Sequence, residues 1–136
     1  MILLGGYYTC CGNTNSVLSL EGSTWTSLSS LAKSRRGHAC AVLGDHVYVM
    51  GGSVGVSTEI YSLTSNTWTY GPNLPSGMDH GQGLAYDGSI YFITSDTKVI
   101  RLQSDNSGWT DIIDNGISAS GYNYPAQIVT DKVLNC

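Results

Sequence analysis

Charge is what this chain has least of. Asp, Glu, Lys and Arg make up 12% of its 136 residues, about half the share of an ordinary globular domain. Six basic residues against ten acidic ones leave a net charge of −4, and the only basic run is Lys33 to Arg36. A nucleic-acid partner is therefore not expected. Long apolar runs are missing too. The hydrophobic stretches stop after a few residues, well short of the roughly 18 that a spanning helix needs, so no membrane insertion is expected. Met1-Ile2-Leu3-Leu4 is apolar but too short, and without the charged start, for a secretion signal. No Asn-x-Ser/Thr acceptor occurs. The four cysteines, Cys10, Cys11, Cys40 and Cys136, are not spaced as a zinc knuckle requires, and no metal or other cofactor is expected. Cysteine use leaves the compartment open, leaning to the cytoplasm over the extracellular space.

What the chain does have is glycine, 17 residues of it, and an internal repeat. Val47-Tyr48-Val49-Met50-Gly51-Gly52 leads through Tyr61 to Trp68. Echoes of that pattern stand ahead of Trp25 and Trp109, at intervals of about 40 to 46 residues. Such a period signals stacked units rather than one irregular core. Met1 to Gly6 matches Val47 to Gly52. The runs Val17 to Leu20, Ile60 to Leu63 and Val99 to Leu102 alternate with a period of two and read as strands. Gly44-Asp45 and Asp87-Gly88 read as tight hairpin turns. Each unit is thus four short strands, and no helix of any length is predicted.

An apolar strand closed by Gly-Gly, then a tyrosine, then a tryptophan beyond a short turn resembles the kelch repeat. Gly51, Gly52, Tyr61 and Trp68 meet that pattern in full, and Arg35, Gly37 and His38 resemble its opening segment. The first unit keeps Gly5, Gly6 and Trp25, with Leu18 at the tyrosine place. The third is degenerate, with Thr94-Ser95 for Gly-Gly and Ile100 for the tyrosine, ahead of Trp109. The resemblance implies an all-β fold, a partial propeller of about three four-stranded antiparallel blades over residues 1–136. Residues 1–28 end one blade, 36–71 form the next, 80–111 a degenerate one, and 122–136 begin another. The glycine pair suits a strand turning out of a crowded blade. Trp25, Trp68 and Trp109 are read as buried wedges between blades.

Propellers close with about four to eight blades. About three blade-lengths, cut out of register, read as a piece of a longer protein, the alternative being a homodimer completing a ring of about six.

Enzyme chemistry finds little footing. His38, His46 and His80 fall at places that cannot all converge, and Asp79-His80 has no activated Ser or Cys beside it. The kelch resemblance implies instead a rigid disc that displays loops. The loops after Gly-Gly (7–16 and 53–57) and after the tryptophan strand (29–36, 70–80 and 113–124) are expected on one face. They carry Tyr7, Tyr8, Arg36, Tyr70, Met78, His80, Tyr122 and Tyr124, residue types common at protein interfaces. Arg35 reads instead as structural. The expected function is non-catalytic protein binding through that face, within a larger adaptor. The rival is a fragment of a kelch-containing enzyme, a copper-radical oxidase or a sugar-acid isomerase.

Overall fold

The structure is a computed structural model describing residues 1–10, 12–94 and 98–113. Its strands are β1 (Ile2–Leu4), β2 (Tyr7–Tyr8), β3 (Gly12–Asn13), β4 (Val17–Glu21), β5 (Thr24–Ser27), β6 (Ala39–Leu43), β7 (His46–Met50), β8 (Thr58–Ser62), β9 (Thr67–Tyr70), β10 (Gln82–Tyr86), β11 (Ser89–Ile93), β12 (Val99–Leu102) and β13 (Trp109–Ile113). The helical content among the described residues is one 3-10 turn, Gly52–Val54. The chain is all-β.

Three antiparallel sheets follow one another along the chain. Blade I is β1-β4-β5, blade II β6-β7-β8-β9 and blade III β10-β11-β12-β13, while β2 and β3 form a small hairpin of their own. The turns are those the sequence requires. Gly44-Asp45 joins Leu43 to His46, with Gly44 at φ 60°. Asp87 and Gly88 both take positive φ between Tyr86 and Ser89, which matches the right-handed twist of the flanking strands.

Blade II is covered on both faces, which explains its nearly unbroken apolar run. Val47 and Val49 turn to one side and pack with Val17, Leu31 and Tyr61, Ile2 and Leu4 of blade I closing that core. Tyr48 and Met50 turn to the other side and meet Ala39, Ala41, Ile60, Ile90, Phe92 and Ile100. A strand with solvent on one face would alternate instead.

The space between blades is a wedge. At the edge where β6 meets β10 the backbones nearly touch, and a Cβ on Gly83 would lie 2.6 Å from the Cys40 carbonyl oxygen. Alanines 39 and 41 line the same edge. Toward the other edge the gap is filled by large groups. Between blades II and III these are Leu102 and Trp109, and between blades I and II they are Tyr61 and Trp68, paired across β8 and β9 with ring centroids 4.9 Å apart.

Register corrects two sequence assignments. Leu20, not Leu18, lies opposite Trp25, because the two-residue turn of blade I is shorter than the turn between Ser62 and Thr67. Leu102, not Ile100, lies opposite Trp109. Spacing to the tryptophan fails in blade I, where the turn is shorter; in blade III it holds, seven positions as in blade II, and the error lies in aligning Val99-Ile100 with Ile60-Tyr61.

The tryptophans also differ from expectation. Trp68 and Trp109 are half-buried wedges, and each indole N–H donates to a carbonyl in the loop leaving the preceding blade. Trp68 reaches Ser29 at 2.7 Å and Trp109 reaches Pro72 at 3.1 Å. Trp25 is not buried, at 47% exposed, since no sheet among the described residues covers that side of blade I.

Candidate functional site

The glycine pair of blade II sits where three loops cross. Gly51 and Gly52 take φ 66° and 78°, angles that few other residues tolerate. A Cβ on Gly52 would lie 2.4 Å from the Arg36 carbonyl oxygen, and one on Gly51 2.7 Å from that of Met78. The crossing is hydrogen-bonded throughout. Gly52 N–H donates to Met78 at 2.8 Å, Ser53 N–H to Arg36 at 3.0 Å, and His80 N–H to Gly37 at 2.8 Å. In blade I, Gly6 N–H donates to Arg35 at 2.9 Å, and Asn13 Nδ2 reaches Ser53 Oγ at 2.9 Å. The loops leaving blades I and II therefore share one face and hold one another in place.

Beneath them lies a buried ion pair. Arg35 is 0% exposed, and its Nη2 meets Glu59 Oε1 at 2.6 Å. Nη1 donates to the Gly51 and Ser57 carbonyls, each at 3.0 Å, and Nη2 also reaches Ser57 Oγ at 3.1 Å. Glu59 in turn accepts the N–H groups of Ala32 at 2.7 Å and Lys33 at 3.3 Å. The pair pins the loop between blades I and II onto β8. Removing one member of such a pair is costly, because the other charge is left buried alone. Arg35 is structural, and its charge is spent internally.

Arg36, one residue on, points out to solvent. Its guanidinium carbon lies 4.9 Å from the centroid of the Tyr7 ring, so the two exposed side chains stack across the seam between blades I and II. Such a contact is worth roughly 0.5–1 kcal/mol at an exposed site. It biases the guanidinium toward one position over the ring.

His80 lies beside this pair. It is exposed at φ 62°, and its Nδ1 is 3.6 Å from Asp79 Oδ1. Asp79 crowds Gly37 so closely that a Cβ there would overlap the carboxylate. Met78 is half-buried, packed against the core between blades II and III. Tyr70 is 67% exposed at the end of β9, opposite Glu59, with no contact to the Tyr7–Arg36 pair among those described. Tyr8 belongs to β2, and Tyr122 and Tyr124 lie outside the described residues. Of the eight contact candidates, Tyr7, Arg36 and His80 are the ones that the described fold brings to one region.

His38 is half-buried between the two glycine loops. A Cβ on Gly5 would lie 2.7 Å from its Cε1. Burial, and then the neighbouring Arg35 charge, hold its pKa below the usual histidine value. His46 sits with Asp45 at 2.7 Å, in the hairpin at the opposite end of blade II. Among the described residues no three His, Cys, Asp or Glu side chains gather to hold a metal ion.

Sequence reasoning missed four contributors. Ser53 and Asn13 bridge the loops, and nothing in their spacing marks them. Glu59 had a signal, a lone carboxylate within a strand whose neighbours are all apolar or small. Asn66, at φ 55°, accepts from Tyr61 Oη at 2.6 Å and from Ser29 N–H at 3.0 Å, clasping blade II to the loop that leaves blade I.

Stacked antiparallel sheets of three and four strands, tight at one edge and wedged by rings toward the other, define a run of β-propeller blades. The kelch motif model matches residues 34–75, which span β6 to β9 and the Arg35 loop. The chain is 30% identical over 115 residues to the "Kelch repeat and BTB domain-containing protein 2" of Ectromelia virus, covering 78% of this chain and 21% of that protein. It is 31% identical over 68 residues to the "Kelch-like protein terF" of Aspergillus terreus, covering 43% of this chain and 15% of the relative. The chain belongs to the kelch-repeat family and spans about a fifth or less of the length of these curated relatives.

Proposed function

We propose that this chain is a non-catalytic protein-interaction module. It presents the loop face carrying Tyr7, Arg36 and His80 to a protein partner, as the recognition part of a larger adaptor. The observation that carries this reading is Arg36 stacked on Tyr7 across a seam whose loops are cross-tied by backbone hydrogen bonds. Tyr and Arg are the side chains most enriched among interface anchors. A guanidinium already biased toward one position loses less freedom on binding, so more of its interaction energy remains as affinity. The adaptor part of the reading draws on the viral relative, whose name joins kelch repeats to a BTB domain. Kelch repeats serve there beside a second domain, and the same arrangement is proposed for the protein that carries these blades.

A photo-crosslinking residue at Tyr7, compared with one at Leu63 in the turn at the opposite end of blade II, tests the face. Adducts are expected from position 7 and not from 63, and Arg36→Ala should reduce them severalfold. Adducts from position 63 alone, or adducts indifferent to Arg36→Ala, would move the binding surface elsewhere.

A further inference from the structure

The side of blade I turned away from blade II is apolar and open. Strand pairing puts Leu3 opposite Leu18 and Leu20 opposite Trp25, so these four side chains share a face with Met1. Leu3 is 55% and Trp25 47% exposed. The equivalent side of blade II holds Val47, Val49, Tyr61 and Trp68, all packed against blade I. That of blade III holds Ile90, Phe92, Leu102 and Trp109, packed against blade II.

The same bond marks both junctions. The residue four past one blade's tryptophan accepts the indole N–H of the next: Ser29 after Trp25, then Pro72 after Trp68. Trp25 is the third copy of the donor, and no described carbonyl accepts its N–H. The face is thus one half of an interface that the molecule builds twice elsewhere.

The other half is present on the same chain. On the far side of blade III, Leu84 pairs with Tyr91, at the places that Ala41 and Tyr48 hold in blade II. Ala41 and Tyr48 are the residues with which blade II receives blade III. Leu84 and Tyr91 are half-buried, and Tyr86 beside them is 52% exposed.

We propose that the Trp25 face docks a second copy of this chain. Trp25 of one copy packs on the far side of blade III of the other and donates its N–H to a carbonyl at the end of β13, the position that Ser29 and Pro72 hold after β5 and β9. The argument is continuity with the two junctions already formed, and it does not rest on the loop-face reading. A head-to-tail contact of this kind closes when the rotation per unit fits a ring, and the three blades among the described residues, taken twice, supply about six, within the range in which propellers close.

Light scattering on the full chain tests it, at about 50 µM, enough to populate a complex with Kd near 10 µM or tighter. A particle of twice the 14.5 kDa chain mass is expected. Trp25→Glu and Leu84→Glu should each halve it, with Leu3→Glu as a second probe of the first face and circular dichroism confirming that each variant is folded. Mixing the Trp25→Glu and Leu84→Glu chains should restore the doubled mass, because one junction then has both wild-type faces. A monomeric wild type would overturn the proposal. So would a dimer that ignores Leu84→Glu, which would mean that two Trp25 faces meet each other, or a mixture that stays monomeric.

Discussion

At the scale of single residues, the chain's few charges are placed where they matter most. The Arg35–Glu59 pair is enclosed at 0% and 1% exposure, and each group also bonds backbone partners. Glu59→Ala would strand Arg35 without its carboxylate and leave the Ala32 and Lys33 N–H groups without their acceptor. A loss of about 3–5 kcal/mol is expected, read as a lower urea midpoint at unchanged slope. A loss below about 1 kcal/mol would show that the pair is dispensable.

His38 gives the fold a pH response of known sign. Its pKa is lowered in the folded state, first by burial and then by Arg35, and its Nδ1 is buried without a hydrogen-bond partner. The unfolded chain therefore takes up this proton before the folded chain does. The stability it contributes is present above the ordinary histidine value of 6.5 and is lost as pH falls from there through the folded pKa. Thermal melts should show the midpoint falling between about pH 7 and about pH 5 in the wild type, and falling less in His38→Gln. Equal slopes in the two chains would remove His38 from the response.

At the scale of elements, what the sequence made legible was whatever period and punctuation control. The two-residue turns at Gly44-Asp45 and Asp87-Gly88 and the alternation within β8 and β12 were readable, because a strand's side chains can face only two ways. The place of the tyrosine in blade I is hidden by a turn two residues shorter than that of blade II, which spacing alone cannot see. In blade III the spacing to Trp109 is kept, and the alternating run Val99 to Leu102 offers two apolar residues, Ile100 and Leu102, of which Leu102 is the paired one. Of the contact residues, Tyr7 and Arg36 were visible as types at loop positions. That they stack, while Met78 turns inward, depends on how two loops cross, and local pattern does not encode that. Trp25 was misread as buried because a repeat position predicts burial only when a neighbouring unit stands beside it.

The wedge between blades II and III makes a sharper element-scale prediction. Gly83 is where β10 backs onto β6, and its missing side chain is what lets the two sheets meet at that edge. Gly83→Val should cost about 1–3 kcal/mol by overpacking. Gly108→Ala, whose Cβ would find only Gln103 Oε1 at 3.6 Å, should be nearly silent. On the opposite side of blade II, Trp68→Ala removes the ring beside Tyr61 and the bond to Ser29, for a loss of about 3 kcal/mol. If Gly83→Val melts with the wild type, the close approach of β6 and β10 is not what sets the spacing of the blades.

At the scale of the molecule, each blade contacts its sequence neighbours, so stability should vary along the chain rather than take one value. A repeat array is held by the intrinsic stability of each unit plus the interfaces it shares. Blade II shares two such interfaces among the described residues and blade I shares one. β7 and β8 are sealed on both faces, whereas β5 is exposed along its whole length. Amide exchange should therefore be slowest at Val47 to Met50 and Thr58 to Tyr61, intermediate in β11, and fastest in β1 and β5, where opening exposes little new apolar surface. The gradient also reports on the second copy. If the Trp25 face is filled in solution, protection in β1 and β4 should rise with chain concentration while that of β7 stays fixed, because only the outer blade gains a neighbour. Uniform protection at every concentration would mean that the three blades open as a single unit, and the additive picture of their interfaces would have to be abandoned.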